Sequence, residues 1–182
     1  MIYAEKEIKL KDGTKCILRS SKETDAEDLI DYLRTVSGET NYLVSYPEEI
    51  NLTVEQEISY INKKNESSNQ VMINAFVDGI LAGNTDISPI GDRLRMQHRA
   101  SFGIAIKKEF WGNGIGNALT EEALKCAKEM GFKQVELGVY AENKKAQDLY
   151  KKFGFEVWGC TKNAFKFKDG TFHDDLTMGK IL

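Results

Sequence analysis

The sequence predicts an α/β (α+β) fold in which a mixed, mostly antiparallel sheet is flanked by about four helices. Three Asp-Gly pairs, at 12–13, 78–79 and 169–170, each separate two segments rich in apolar or β-branched residues. Asp-Gly suits the positive φ angles of tight hairpin turns, so each pair predicts an antiparallel hairpin. A strand–helix–strand–helix run lies between the last two hairpins, and this combination indicates a mixed sheet.

The first half of the chain contains two hairpins separated by two helices. The first hairpin joins "EIKL" to "TKCILRS", and the second joins "VMINAFV" to "ILAGNTDI". Between them, residues 25–36 carry Leu29, Leu33 and Val36 at helical spacing. The second helix is expected over 53–64, because Thr53 begins a Thr-x-x-Gln capping box.

The second half predicts strand 100–106, a long helix that Gly131 ends, and strand 134–140. A short helix over 143–153 follows, capped by Asn143 and ended by Gly154, and "FEVWGCT" then starts the closing strands. The predicted order is therefore ββ-αα-ββ-β-α-β-α-ββ. The apolar face of the long helix repeats at helical spacing through Ile115, Leu119, Ala123, Ala127 and Met130.

Composition narrows the class of protein. The length of 182 residues suits a single domain over 1–182, and 41% apolar with 29% charged residues is ordinary for a globular protein. A net charge of −3 argues against a nucleic-acid partner. No apolar run approaches the roughly 20 residues that span a bilayer, and the first residues lack an apolar signal core, so we expect a cytoplasmic protein. The three scattered cysteines match neither a disulfide framework nor a zinc site, and no metal is expected.

The stretch "FWGNGIGNAL", residues 110–119, places Gly112, Gly114 and Gly116 at alternate positions before a helix. A helix start offers unpaired N–H groups and a partial positive charge, and glycines let an anion approach them closely. The spacing fits neither Gly-x-Gly-x-x-Gly, the dinucleotide fingerprint, nor the P-loop, which needs Gly-Lys followed by Ser or Thr. A tight helix–strand contact is the plainer interpretation, but three glycines favour anion binding.

A second block strengthens this interpretation. "FWGNGIGNAL" resembles the acetyl-coenzyme A signature of the GNAT superfamily of N-acetyltransferases, Arg/Gln-x-x-Gly-x-Gly/Ala, with Trp111 standing at the Arg/Gln position. About 30 residues later, "NKKAQDLYKKFGF" resembles the Asn-x-x-Ala-x-x-Leu-Tyr-x-x-x-Gly-Phe block of the same family. The two motifs occur in the right order on the right elements, and the predicted fold resembles the family fold over nearly the whole chain.

The resemblance implies that acetyl-CoA is the co-substrate and that its pantetheine arm lies along strand 100–106. Lys145 and Lys152 are candidates for its nucleotide phosphate, although exposed lysines on a helix are usually only solvated. The residues that the resemblance assigns to the cofactor are Ile104, Ala105, Ile106, Gly112, Asn113, Gly114, Ile115, Gly116, Asn117, Asn143, Ala146 and Tyr150.

Tyr150 is also the predicted catalytic residue. It lies seven positions after Asn143, two helical turns, so both face the same side of the helix. By resemblance, its hydroxyl is the general acid that protonates the coenzyme A thiolate. The base that takes the proton of the amine is left unassigned. Glu39, Glu49 and His98 are candidates, and His173 is no better supported.

The acceptor side of this family is its variable N-terminal helical region. Here residues 39–57 hold five glutamates and no Lys or Arg, which suits either an acidic rim for a cationic amine or a solvated loop. Tyr42 and Tyr46 are candidates for the wall of an acceptor pocket. A small-molecule amine is the favoured acceptor. A protein N-terminus, a non-catalytic acyl-CoA-binding module and a homodimeric assembly are left open.

Overall fold

The computed structural model describes residues 1–182 and contains eight strands in a single sheet. In chain order the strands are β1 Lys6–Lys9, β2 Lys15–Arg19, β3 Val71–Val77, β4 Ile80–Pro89, β5 Arg99–Ile106, β6 Gln134–Tyr140, β7 Glu156–Lys166 and β8 Phe172–Ile181. Across the sheet they are arranged β1-β2-β3-β4-β5-β6-β8-β7. All neighbours are antiparallel except β5 and β6, so the expected mixed, mostly antiparallel sheet is confirmed.

Four helices complete the predicted element order. They are α1 Ala26–Glu39, α2 Val54–Glu66, α3 Ile115–Glu129 and α4 Lys144–Lys152. The predicted caps are present, since Thr53 forms its capping box with Gln56 and Asn143 accepts the N–H of Ala146. None of the helices has the length and apolar character needed to cross a membrane.

The sheet carries helices on both faces, and β3 shows this directly because all seven of its residues are buried. Alternate side chains of a strand point to opposite faces. Met72 and Phe76 belong to a cluster with α1 and α2. The opposite face of β3 belongs to a larger cluster that includes α3, and its residues there are Val71, Ile73, Ala75 and Val77.

The parallel pair in the centre of the sheet is short. β5 pairs with β6 only from Arg99↔Gln134 to Ser101↔Glu136. At this end the Arg99 guanidinium holds the Glu136 carboxylate through two hydrogen bonds of 2.6 and 2.8 Å, and the neighbouring guanidinium lowers the pKa of Glu136. From Phe102 and Leu137 onward the two strands are unpaired, which opens a fork in the middle of the sheet.

The two closing strands are β7 and β8, as the predicted order has them, and β7 is irregular. It begins within "FEVWGCT" and continues as a single strand to Lys166. Extra residues along it are absorbed by register shifts against β8, and Asn163 among them has a φ of 52°. A bulge of this kind keeps a strand paired while extra residues loop out of the ladder.

Packing of α3 on the sheet can be tested with two Leu→Ala substitutions. Leu119 is fully buried in the larger cluster, so Leu119→Ala is expected to lower the free energy of unfolding by about 2–5 kcal/mol. Leu94 is 85% exposed, and Leu94→Ala is expected to change the free energy of unfolding by less than about 0.5 kcal/mol. Urea denaturation followed by circular dichroism measures both. Equal losses would contradict the described packing of α3.

Candidate active site

A cavity of about 850 Å³ lies in the fork between β5 and β6, beside the start of α3. The free edges of both strands face this cavity and leave main-chain N–H and C=O groups without a strand partner. Of the twelve residues assigned to the cofactor from the sequence, only Asn113 does not line it. Those that do are Ile104, Ala105, Ile106, Gly112, Gly114, Ile115, Gly116, Asn117, Asn143, Ala146 and Tyr150.

The three alternating glycines are required for different reasons. Gly112 and Gly114 have φ angles of 87° and 101°, in the left-handed region that side chains disfavour. A Cβ on Gly112 would meet nothing within 4 Å, so the space beside it is open. Gly116 lies inside α3, and a Cβ there would stand 3.2 Å from Ile106 and 3.3 Å from Leu149. The first two glycines therefore shape the loop, and the third allows close packing.

The start of α3 has free N–H groups, which the expected anion site requires. Gly114 is its N-cap and supplies no side chain, and the first helical hydrogen bond is from Ala118 N–H to Gly114 O, at 3.1 Å. The N–H groups of residues 115–117 consequently have no acceptor within the helix. These residues line the cavity, so their N–H groups and the positive end of the helix dipole are available to an anion there.

Positive side chains gather at this same end of the cavity, where Lys11, Lys145 and Lys152 line it. Lys152 Nζ donates to Asn117 Oδ1 at 2.7 Å, and Lys145 Nζ lies 4.1 Å from the centre of the Trp111 ring. The Trp111 indole N–H in turn donates to Ile106 O at 2.7 Å, which fastens the glycine loop to the end of β5.

Two predicted polar residues have clear structural roles. The Asn113 carbonyl accepts the Lys11 N–H at 3.1 Å and holds the loop to the first hairpin. Asn143 Oδ1 accepts the Ala146 N–H at 3.2 Å and caps α4, while the same residue lines the cavity. The helix cap and a place at the cavity, both expected of Asn143, therefore occur together.

Tyr150 occupies the vertex of the fork. Its ring is buried, 7% exposed, and meets Phe102 edge-on at a centroid distance of 5.9 Å. Its hydroxyl forms no hydrogen bond with the protein. The only solvent-inaccessible side-chain polar atom that lacks a partner is Thr120 Oγ1, so the Tyr150 hydroxyl oxygen is accessible. Tyr150 Oη is therefore open to the cavity. Burial raises the pKa of Tyr150 to about 12, so the hydroxyl stays protonated at neutral pH.

The proposed bases lie elsewhere. Glu39 Oε2 accepts the Lys108 N–H and Glu49 Oε2 accepts the Tyr46 N–H, each at 2.7 Å, so both carboxylates cap short turns. His98 is exposed and precedes the paired end of β5. His173 stacks on Phe167 at a centroid distance of 3.9 Å. None of these four residues lines the cavity, and no group of three or more His, Cys, Asp or Glu side chains is arranged to hold a metal ion.

The end of the cavity opposite the lysines is aromatic. Tyr140 stacks on Phe165 at 4.1 Å and lies 5.8 Å from Tyr42, measured between ring centroids. This end shares lining residues with a second cavity of about 200 Å³, which Tyr46 also lines. The residues that line both cavities are Thr40, Leu43, Val44, Tyr140 and Phe165. None of the five glutamates of residues 39–57 lines either one.

One carboxylate of this aromatic end was missed by the sequence analysis. Asp175 lies within β8, lines the large cavity and forms no ion pair with any cation of the chain. Its carboxylate occupies the space beside Gly138, where an added Cβ would stand 3.1 Å from Oδ1. A glycine inside a strand indicates that another group comes close to the backbone there. Which group comes close to Gly138 is decided by the pairing of β6 with β8, which the sequence alone does not give.

Comparisons with known proteins agree with this geometry. Residues 36–155 match the model of the acetyltransferase (GNAT) family. A solved acetyltransferase of the GNAT family from Streptococcus pneumoniae is 33% identical, with a TM-score of 0.88, and the match covers 92% of this chain and 99% of that one.

Two curated relatives match over shorter regions. An L-amino acid N-acetyltransferase from Escherichia coli (strain K12) is 31% identical over 59% of this chain and 65% of its own length. A putative [ribosomal protein bS18]-alanine N-acetyltransferase from Bacillus subtilis (strain 168) is 36% identical over 48% of this chain and 55% of its own. The chain thus spans less than two thirds of the length of either relative.

Two glycines with similar left-handed φ angles allow the effect of a substitution on backbone strain to be distinguished from its effect on the cavity. Gly112 (φ 87°) and Gly131 (φ 86°) both have nothing within 4 Å of an added Cβ, but only Gly112 lines the cavity. Each Gly→Ala change is expected to lower the free energy of unfolding by about 1–2 kcal/mol, because a side chain disfavours a left-handed conformation. Only Gly112→Ala is expected to weaken coenzyme A binding, as measured by isothermal titration calorimetry. Equal affinities for the two variants would exclude the loop from the coenzyme site.

Proposed function

The chain belongs to the acetyltransferase (GNAT) family, whose co-substrate is acetyl-CoA, and we propose that it acetylates a small-molecule primary amine with Tyr150 as general acid. The transfer is proposed to be direct, with the amine and acetyl-CoA bound together. The observation that carries the proposal is the Tyr150 hydroxyl, which is protonated, unpartnered and open to the cavity between the anion site and the aromatic end.

The described residues suit acetyl-CoA. The open space at Gly112 and the free N–H groups of residues 115–117 would take the pyrophosphate, and Lys145 or Lys152 would take a nucleotide phosphate. The unpaired edge formed by residues 104–106 of β5 would bond the peptide-like pantetheine arm, which needs alternating donors and acceptors. When bound, acetyl-CoA supplies the thioester carbonyl that an amine attacks.

Tyr150 would act on the leaving group. A neutral phenol can donate a proton to a thiolate, and burial keeps the Tyr150 hydroxyl in this neutral form. The packing of its ring against Phe102 and Phe155 fixes the position of the hydroxyl oxygen, because both neighbours are themselves buried. A proton donor held in place in this way does not need to be positioned during the reaction.

The aromatic end supports a small acceptor. Tyr140 also lines the neighbouring cavity of about 200 Å³, a volume that suits the body of a small molecule. Of the two curated relatives, one acts by name on L-amino acids and the other on a ribosomal protein. A protein N-terminus is therefore the second acceptor to include in any assay.

Tyr150→Phe tests the proposed acid. The ring remains and its contacts with Phe102 and Phe155 are preserved, whereas the donor hydroxyl is lost. We expect kcat to fall by about 10²–10⁴-fold, with little change in acetyl-CoA affinity. Release of the coenzyme A thiol, followed with a chromogenic disulfide, measures turnover, and calorimetry measures affinity.

Tyr60→Phe is the matched control, because Tyr60 is 43% exposed on α2 and lines neither cavity. Its turnover is expected to equal that of the unaltered chain. Unchanged turnover in Tyr150→Phe would remove Tyr150 from the mechanism. Tight acetyl-CoA binding without turnover on small amines or on an N-terminal peptide would instead indicate a non-catalytic module.

A further inference from the structure

We propose that Asp175 binds the acceptor ammonium and accepts its proton, and that the Asp175 charge together with the aromatic walls around it selects arylalkylamines over α-amino acids. This inference rests on the proposed function and adds to it a residue and a substrate class. The occupant of the aromatic end is then an amine that carries one positive charge, an apolar body and no carboxylate on the carbon that bears the nitrogen.

Asp175 differs from the aspartate beside it on β8. Asp174 is paired with Lys162 at 2.7 Å and also accepts the N–H of Asn163 at 3.0 Å. Asp175 points to the other face of the strand, lines the cavity and has no cation partner in the chain. A partly buried carboxylate without a cation is unfavourable, so a cationic ligand is the partner that the site lacks.

Gly138 admits this carboxylate to the fork. It lies on β6 in the unpaired region, and an added Cβ would stand 3.1 and 3.2 Å from the two Asp175 oxygens. A side chain at position 138 would displace them. Burial raises the pKa of the Asp175 carboxyl, and a main-chain hydrogen bond at Val139 offsets part of this rise. A higher pKa makes the carboxylate a better proton acceptor.

The surrounding walls suit an aromatic or apolar body. Tyr140 occupies the position paired with Asp175 between β6 and β8, and its ring is stacked on Phe165. Tyr42 also lines this cavity, with its ring 5.8 Å from that of Tyr140 between centroids and 39% of the residue exposed. Rings in this arrangement bind an apolar group by contact and favour a nearby cation.

The charges of the cavity disfavour an α-amino acid. Its carboxylate lies one carbon away from the amine, so the two carboxylates would be neighbours if Asp175 held the ammonium. The cations of the large cavity, Lys11, Lys145 and Lys152, line the end where α3 begins. Lys166 lines only the smaller cavity, and its side chain extends toward Phe172, with Nζ 5.7 Å from the ring.

The proposed reaction is balanced for protons and bonds. The ammonium loses one proton to the Asp175 carboxylate, and the neutral nitrogen forms a bond with the thioester carbonyl carbon. The carbon–sulfur bond then breaks, and the thiolate takes the Tyr150 proton. The second proton of the new amide nitrogen restores the Tyr150 hydroxyl, and Asp175 releases its proton to solvent.

Four acceptors that differ in charge or in the presence of an aromatic ring test the substrate class: 2-phenylethylamine, L-phenylalanine, L-phenylalanine amide and spermidine. The first two differ only in the carboxylate, and the amide restores a neutral group at that position. We expect kcat/KM for 2-phenylethylamine and for the amide to exceed that for L-phenylalanine by about 10–100-fold, because like charges brought together weaken binding. Spermidine, which has several cations and no ring, is expected to be poorer than 2-phenylethylamine.

Asp175→Asn tests the residue, and Asp174→Asn is the matched control from the same strand. Asp175→Asn is expected to raise KM for 2-phenylethylamine, lower kcat and bring its kcat/KM close to that for L-phenylalanine. Asp174→Asn is expected to keep the selectivity of the unaltered chain. Gly138→Ala, which displaces the carboxylate and leaves it present, is expected to act in the same direction as Asp175→Asn. Thermal melting checks that each variant is folded.

The outcomes separate this inference from the proposed function. L-Phenylalanine or spermidine acetylated as well as 2-phenylethylamine would overturn the substrate class and leave the acetyltransferase intact. Selectivity and turnover unchanged in both Asp175→Asn and Gly138→Ala would overturn the role of Asp175. No turnover on any amine, with acetyl-CoA bound, would overturn both proposals together.

Discussion

The separation of two parallel strands is the constraint on which the site depends. β5 and β6 are held together over three register pairs, with the Arg99–Glu136 ion pair at this end, and they pair no further. Everything that the proposed chemistry needs lies where this pairing ends. The free strand edges face the cavity there, and Tyr150 packs against Phe102, the first unpaired residue of β5. A continuous sheet would satisfy these backbone groups and close the cavity.

The segments that we assign to the coenzyme are local in sequence, and for this reason their turns and helix starts could be predicted. The loop at 110–117 and the residues at 143–150 each form one turn and one helix start, so caps and glycines identify them without knowledge of the rest of the fold. The element order was confirmed for the same reason, because hairpin turns and helix caps are local signals. The distinct roles of Gly112 and Gly116 were not evident, since packing against Leu149 requires the folded chain.

The aromatic end of the cavity, where we propose that the acceptor binds, is assembled from distant segments, and here the sequence was insufficient. Asp175 reaches the cavity only because β8 pairs with β6 in a register that sets it opposite Tyr140 and beside Gly138. No local pattern predicts that register. The two glutamates that were candidates for the base, Glu39 and Glu49, accept main-chain N–H groups at turns. Carboxylates near helix ends commonly take this role, and it competes with any part in catalysis.

This division has a consequence for specificity. A change in the segments that we assign to the coenzyme alters backbone geometry or helix packing, as the φ angles of Gly112 and Gly114 show, so it affects any acceptor equally. A change at position 138, 140, 165 or 175 alters only a wall or a charge at the far end of the cavity. Under the proposed function, the acceptor would therefore be able to change while the acetyl donor stays the same. One relative is named for L-amino acids and another for a ribosomal protein, so the names of these relatives differ in acceptor while both are N-acetyltransferases. In this chain, Asp175 and its aromatic neighbours are the residues from which we infer the acceptor.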